Sequence, residues 1–557
     1  MVKFRDDPAS RTEEPPVSAL RALIALPPSR GLLALLTLAF VLPGLFAHEP
    51  WKSFDAIGVE IIHQMQLSGD WLVPRIAGEP WLDDPPLFHW LALMLAKPAA
   101  LLLPFHDAVR VASGLAVLAA CAFLHAAARA PAQDEDTGTV SAASVLLLIG
   151  TIGLMVHAHE AIPELATLAA CSAAFGALSR TKGSPLLNGT AFGAALGVAF
   201  LSTGFATPTA VLAAALISHV ASSGPPTPGR AKFLTAGAIV GVVIAASWPL
   251  ALRAHSAALY ADWLTIATTP RGAFGGNLSY FFGISAWFLW PLWPLALWTL
   301  WARRKVLRAP RLFTPLVAFA LLFLCVAWFG PKQDINLLAT LPPLVLFAAH
   351  GLPTLRRGAA AALDWFGVMT FGVFAFIIWV GYLAMMTGWP PKIANNFAKL
   401  APGFTPQFSW LPFAAALALT VLWLLLVLRL PPAPSRSATR WAAGVALLWG
   451  TFATLWMPWA DHLKTYRSVA VQLKAKLPGG TECVAGRNLG VPQRAALSYH
   501  AGLRIRGAEA ETKCRYLLIQ GSPKHEQDAP GAGWTRIAEF GRAGDKAERY
   551  RLYRKAP

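Results

Sequence analysis

Six carboxylates gather near the ends of apolar runs: Asp55, Glu60, Asp83, Asp84, Glu160 and Glu164. Carboxylates so placed can accept a proton, orient a hydroxyl, or hold a hard cation through oxygen ligands. The plainer reading is that they pair with nearby cations such as Arg75, Arg110 or Lys332, and that Asp55 caps a helix ahead of an apolar-periodic stretch. Glu164 stands close to the start of an apolar run, where a charge is costly enough to need a partner. His157 and His159 flank the same place and are ambiguous between metal binding and ordinary hydrogen bonding.

The elements that must position these groups are membrane helices. The chain has 557 residues, 55% hydrophobic and 14% charged, with a formal net charge of +18. That balance belongs to a membrane protein, and the charge is not a nucleic-acid signature, because Lys and Arg alternate with apolar runs instead of forming one basic face. The first run, Gly31 to Ala47, reads as a retained signal anchor after a polar N-terminal segment. About thirteen runs qualify as spans, several near the lower length limit. Leu87 to Leu103 is set apart because Lys97-Pro98 sits at its centre, so it is read as lying along the outer surface or re-entering. Excluding it places Arg180/Lys182, Arg230/Lys232, Arg303 to Arg311, Arg356-Arg357 and Arg429/Arg436/Arg440 in cytosolic loops, a consistent positive-inside pattern. The acidic Asp134-Glu135-Asp136 loop also falls inside, with little topological weight.

The other face then holds a first loop of about 48–107, the turns at 158–163 and 330–334, loops near 253–280 and 387–409, and the C-terminus. The expected architecture is a polytopic α-helical domain over 1–460 with a small α/β domain over 461–557, where apolar positions become short and alternating. Cys483 and Cys514 lie in that second domain and could form a disulfide if it is extracytosolic. Cys121, Cys171 and Cys325 read as small hydrophobes inside apolar runs.

The segment Ser68-Gly69-Asp70-Trp71-Leu72-Val73-Pro74-Arg75, continuing through Gly78-Glu79-Pro80-Trp81-Leu82-Asp83-Asp84-Pro85-Pro86-Leu87, resembles the GT-C glycosyltransferases of the aminoarabinose-transferase and protein O-mannosyltransferase type. Gly197 to Gly204 is similar to that family's turn after the fifth span, and Lys332 to Leu344 to its basic turn before a "LPPL" stretch. The resemblance implies a GT-C fold and inverting transfer of a sugar from a polyprenyl-phosphate carrier to a lipid or other envelope acceptor at the periplasmic face of a bacterial inner membrane. It implies Asp55 and Glu164 as catalytic carboxylates, and Lys332, Arg271 and Arg75 as contacts to the donor phosphate. Asp70 and Glu79 would stabilise the first loop.

The chain departs from the family pattern where charge matters. Phe54 or Asp55 takes the place of the first acid, depending on a one-residue shift. Asp84 replaces a lysine, and Thr203 replaces another. A divalent cation held by Asp83, Asp84 and Glu60 would substitute for the lost lysines by bridging the phosphate. The alternative is a non-catalytic paralogue that binds lipid-linked sugar or partners an active transferase. A transporter is disfavoured, since no repeat and no mid-span coupling charges are visible.

This topology predicts that a membrane-impermeant thiol reagent labels Ser68→Cys and Gln333→Cys in intact spheroplasts. Arg304→Cys should label only after permeabilisation, and labelling of Ser68 and Gln333 from opposite sides would contradict it.

Overall fold

The computed structural model describes residues 28–129, 137–180, 183–221, 228–481, 483–523, 529–542, 544–545 and 547–556. The polar N-terminal segment before residue 28, the acidic loop at 134–136 and Lys182 lie outside the described residues.

Helices occupy every apolar run that the sequence marks, from Arg30–Val41 to Arg436–Thr451. Seven are long and apolar enough to cross a membrane, or eight if the bent pair Phe274–Phe288 and Leu292–Ala302 counts as one. The count of about thirteen is therefore not reached by length and composition. Arg30–Val41, Thr137–Ile149 and Ala206–Ala221 are shorter apolar helices. Thr137–Ile149 is buried along nearly its whole surface, so other helices cover it. The chain is a multi-pass membrane protein.

Two local features follow directly from residue type. Pro185–Thr203 and Ala206–Ala221 are separate helices, broken at Gly204, whose φ of +81° suits glycine far better than a residue with a Cβ. Leu87–Ala99 is one short helix with Pro98 near its end. Lys97 there lies 5.2 Å from the Trp71 ring centroid, which gives its charge a cation–π partner.

The first loop folds into a helix, a hairpin and that short helix. Ser53–Ser68 turns Ala56, Val59, Ile62 and Met65 inward at helical spacing and ends on Gly69 at φ +70°. Asp70 accepts from the backbone N–H groups of Leu72 and Val73, bending the chain toward the hairpin of β1 (Arg75–Ile76) and β2 (Glu79–Pro80). Glu79 reaches further than the sequence reading had it. It pairs with Arg494 at 2.7 Å and accepts from the Gly507 N–H, docking the hairpin onto the C-terminal domain.

That domain is a five-stranded sheet in the order β4 (Arg504–Arg506), β3 (Cys483–Arg487), β5 (Tyr516–Gly521), β7 (Arg549–Lys555), β6 (Trp534–Phe540). The first three strands run parallel, which requires crossover connections, and the helix Val491–Ala501 supplies one of them. Val469, Leu473, Leu497, Leu518 and Leu552 form the core between sheet and helices. Cys483 and Cys514 are joined by a disulfide.

Candidate active site

A cavity of about 440 Å³ opens where the first loop meets several helix ends. Its lining includes the polar side chains Asp83, Asp84, His89, Glu164, Thr167, Thr203 and Arg271 and the apolar side chains Phe205, Trp263, Ile266, Val326 and Phe329. A molecule with a charged head and a greasy tail matches such a lining.

Glu164 arrives as the second residue of the helix Pro163–Ser179, whose proline fixes the first turn. Its Oε2 is buried with no hydrogen-bond partner among the described residues. Thr203, at the end of its helix, shares a 2.9 Å hydrogen bond with Thr167. Arg271 sits in a loop tied down by Asn277, which donates to the carbonyls of Arg271 and Gly330. The Arg271 guanidinium lies 3.0 Å from Asp83.

Asp84 faces a different balance. Burial, then the neighbouring Glu164 and Asp83 charges, raise its carboxyl well above the usual range, against the pull of Arg271.

Asp55 does not reach this cavity. It is fully buried, and Arg110, also fully buried, donates from Nε to its Oδ1 at 3.1 Å and from Nη2 to its Oδ2 at 2.6 Å. The Ala161 N–H also donates to Oδ1 at 2.9 Å. Arg110 completes its donor set on Asp107 and the His48 carbonyl, both at 2.9 Å. Burial alone would raise the Asp55 carboxyl, yet the Arg110 charge and hydrogen bonds hold it below the usual range. The Asp55 carboxylate is thus engaged by Arg110 and the Ala161 N–H, and it is not among the residues that line the cavity.

Other expected groups are also elsewhere. Glu60 accepts from Gln64 and from the Ala77 N–H, bracing the hairpin, so it does not join Asp83 and Asp84. Among the described residues no group of three His, Cys, Asp or Glu side chains is arranged to hold a metal ion, which removes that three-acid site. Arg75 is occupied near the hairpin, 3.5 Å from Asp70 and donating to the Gly78 carbonyl. Lys332 is exposed, and its neighbours Pro331 and Gln333 line the cavity instead. His159 bonds the Phe40 carbonyl at 2.9 Å and stacks on Trp449. Glu160 belongs to a neighbouring network, 3.0 Å from Lys52 and 3.3 Å from His157, whose other nitrogen lies 3.3 Å from Asp334.

The sequence reading missed His89, which is 1% exposed, lines the cavity, and has an Nδ1 without a partner among the described residues. Nothing in its local sequence marks it. It also missed Gly58, where an added Cβ would fall 1.8 Å from the Ala161 carbonyl oxygen, so only glycine lets the first-loop helix lie this close to that turn.

The arrangement of first loop, helix ends and C-terminal sheet defines a multi-pass helical membrane protein with a small sheet domain. It shares its fold with ArnT from Cupriavidus metallidurans, solved bound to undecaprenyl phosphate, at 16% identity and a TM-score of 0.66, covering 94% of this chain and 97% of that one. The same protein in its apo state aligns with a TM-score of 0.64 at 16% identity, covering 96% of this chain and 98% of the other. The oligosaccharyltransferase AglB from Archaeoglobus fulgidus aligns at 0.42 and 11% identity, over 88% of this chain and 69% of that one, too distant to carry an argument. No protein-family profile matches the sequence, and no curated protein does.

The buried pair generates a stability prediction. Arg110→Met strands Asp55 and Asp107 and should lower stability by about 3–5 kcal/mol, seen as a reduced thermal midpoint in detergent. The double variant Asp55→Leu with Arg110→Met should recover part of that loss. Because the Asp55 carboxyl is depressed, its stabilising contribution is present above the usual carboxylate range and lost as pH falls through its lowered value. An unchanged midpoint in Arg110→Met would contradict this account.

Proposed function

We propose that this chain is a glycosyltransferase that moves a sugar from a polyprenyl-phosphate carrier to a lipid or other cell-envelope acceptor. The observation that carries this reading is one cavity lined both by the charged side chains Asp83, Asp84, Glu164 and Arg271 and by the apolar side chains Trp263, Phe205 and Phe329. The charged groups suit a phosphosugar and the apolar ones an isoprenoid chain. ArnT, whose fold this chain shares, was solved with undecaprenyl phosphate, which supports the choice of carrier.

In this reading Arg271 contacts the donor phosphate, exchanging its ion pair with Asp83 for the ligand. Glu164 touches the reacting groups, and a carboxylate across from a departing phosphate orients the acceptor hydroxyl for an inverting displacement. Asp55 serves as a positioning residue through Arg110 and the Ala161 N–H. Lys332, at the rim, meets the carrier as it enters. The positive-inside loops and the Cys483–Cys514 disulfide support a cytosolic N-terminus, an inner-membrane location and a periplasmic C-terminal domain.

A second reading, a non-catalytic paralogue that binds lipid-linked sugar, is favoured by one feature. The cavity's lone arginine among the described lining residues is already paired with Asp83.

Purified protein should bind undecaprenyl phosphate, and Arg271→Ala should weaken that binding by about tenfold, equivalent to about 1.4 kcal/mol. Arg75→Ala, at the hairpin, should leave it unchanged. Equal loss in both variants would move the phosphate away from this cavity. Sugar transfer by wild type but not by Glu164→Ala would separate an enzyme from a binding paralogue.

A further inference from the structure

Three of the segments that line the cavity are tied together behind its surface by a chain of charged side chains. Each segment carries one of them next to a lining residue. Lys52 stands two positions before Phe54, Glu160 just before Ala161, and Asp334 between Gln333 and Ile335. None of the three charged residues is itself among those that line the cavity.

His157 completes the chain. Lys52 Nζ lies 3.0 Å from Glu160 Oε1 and donates to the Val156 carbonyl at 2.6 Å. His157 Nδ1 lies 3.3 Å from the same Glu160 oxygen, and its Nε2 lies 3.3 Å from Asp334. The rings of Phe54 and Phe288 flank the imidazole, with centroids 6.3 Å and 6.1 Å away.

The imidazole thus sits between two carboxylates, and neither contact is aligned as a hydrogen bond. What holds the ring there is therefore charge, which a neutral ring would not supply. The balance of charge points the same way. Lys52, Glu160 and Asp334 alone leave one carboxylate uncompensated, and Glu160 is almost wholly buried. A second ring proton on His157 gives two cations for two carboxylates. Asp55 does not enter this count, since Arg110 holds it at 2.6 Å.

We propose that His157, as a buried imidazolium, is a positioning residue for carrier binding: it clamps the turn bearing Gln333 to the turn that presents Glu164. This rests on the transferase reading above. The clamp needs no contact with the ligand, because it acts through the segments it joins. Lys52 fixes the entry of the first-loop helix to the Val156 carbonyl. Glu160 joins that lysine to the imidazolium, and the imidazolium holds Asp334 at the start of the short helix Asp334–Thr340. Without the ring's charge Asp334 loses this cation, and one side of the cavity is released from the other.

The test uses the full-length protein in nanodiscs, with isotopically labelled histidine nitrogens. Solid-state NMR separates an imidazolium, protonated on both ring nitrogens, from a neutral ring protonated on one. At about pH 7.5 the histidine signal lost in His157→Gln should be that of an imidazolium, and the same signal should shift in Asp334→Asn. Binding of undecaprenyl phosphate is the second readout. Asp334→Asn and His157→Gln should each weaken it by about tenfold. The double variant should lose no more than either alone, because both changes break one contact. Asp334 is 24% exposed, so Asp334→Asn tests the clamp even if the buried substitution fails to fold. A neutral ring at His157, unchanged binding in Asp334→Asn, or losses that add in the double variant overturn the inference and leave the transferase reading standing. Absence of undecaprenyl phosphate binding by wild type removes the transferase reading, and the role of the clamp in carrier binding with it.

Discussion

A guanidinium with no solvent exposure, Arg110, holds the architecture of the first loop in place. It joins Asp55 on the first-loop helix, Asp107 at the start of its own helix, and the His48 carbonyl in the chain just before the first-loop helix. Asp55 in turn accepts from the Ala161 N–H, so the same ion pair reaches the turn that presents Glu164. Buried ion pairs add little net stability relative to a packed apolar core, but breaking one partner is costly. The chain retains this one at the junction of three segments that must stay in register. Gly58 shows how close that register is, since its Cα side lies directly against the Ala161 carbonyl.

A few residues away the opposite strategy holds. Around Asp55 the hydrogen-bonding groups are engaged, whereas along the cavity Glu164 Oε2 and His89 Nδ1 are left open. Polar groups buried without partners are costly, and they persist where a ligand supplies the missing contact. The contrast between a saturated structural acid and an unsaturated cavity acid is what separates Asp55 from Glu164. Two carboxylates that look alike in sequence therefore differ in what they leave for a ligand, and of the two only Glu164 lines the cavity.

Much of the fold was legible because its signals are local. The break at Gly204, the turn at Asp70 and the change of pattern after residue 460 all depend on neighbours in sequence. The site was only partly legible. Glu164, Asp83, Asp84 and Arg271 line one cavity. Of the cations the sequence offers to these acids, Asp55 takes Arg110, 55 residues away in an apolar run, a choice that neighbours in sequence do not fix. Glu60 misleads for a similar reason, as its acceptor capacity is used by the hairpin backbone at Ala77. His89 carries no signal, because its meaning comes only from the cavity that other segments close around it. Length and composition alone do not reach the count of about thirteen spans, since a helix shielded by its neighbours, such as Thr137–Ile149, need not match the length of one that faces lipid.

A structure of the full-length protein with undecaprenyl phosphate bound tests the central claim most directly. The account predicts the phosphate in the cavity beneath the first-loop helix, within hydrogen-bond reach of Arg271, with the isoprenoid chain along Trp263 and Phe329. Phosphate density outside that cavity, with Glu164 facing only solvent or protein, would contradict it.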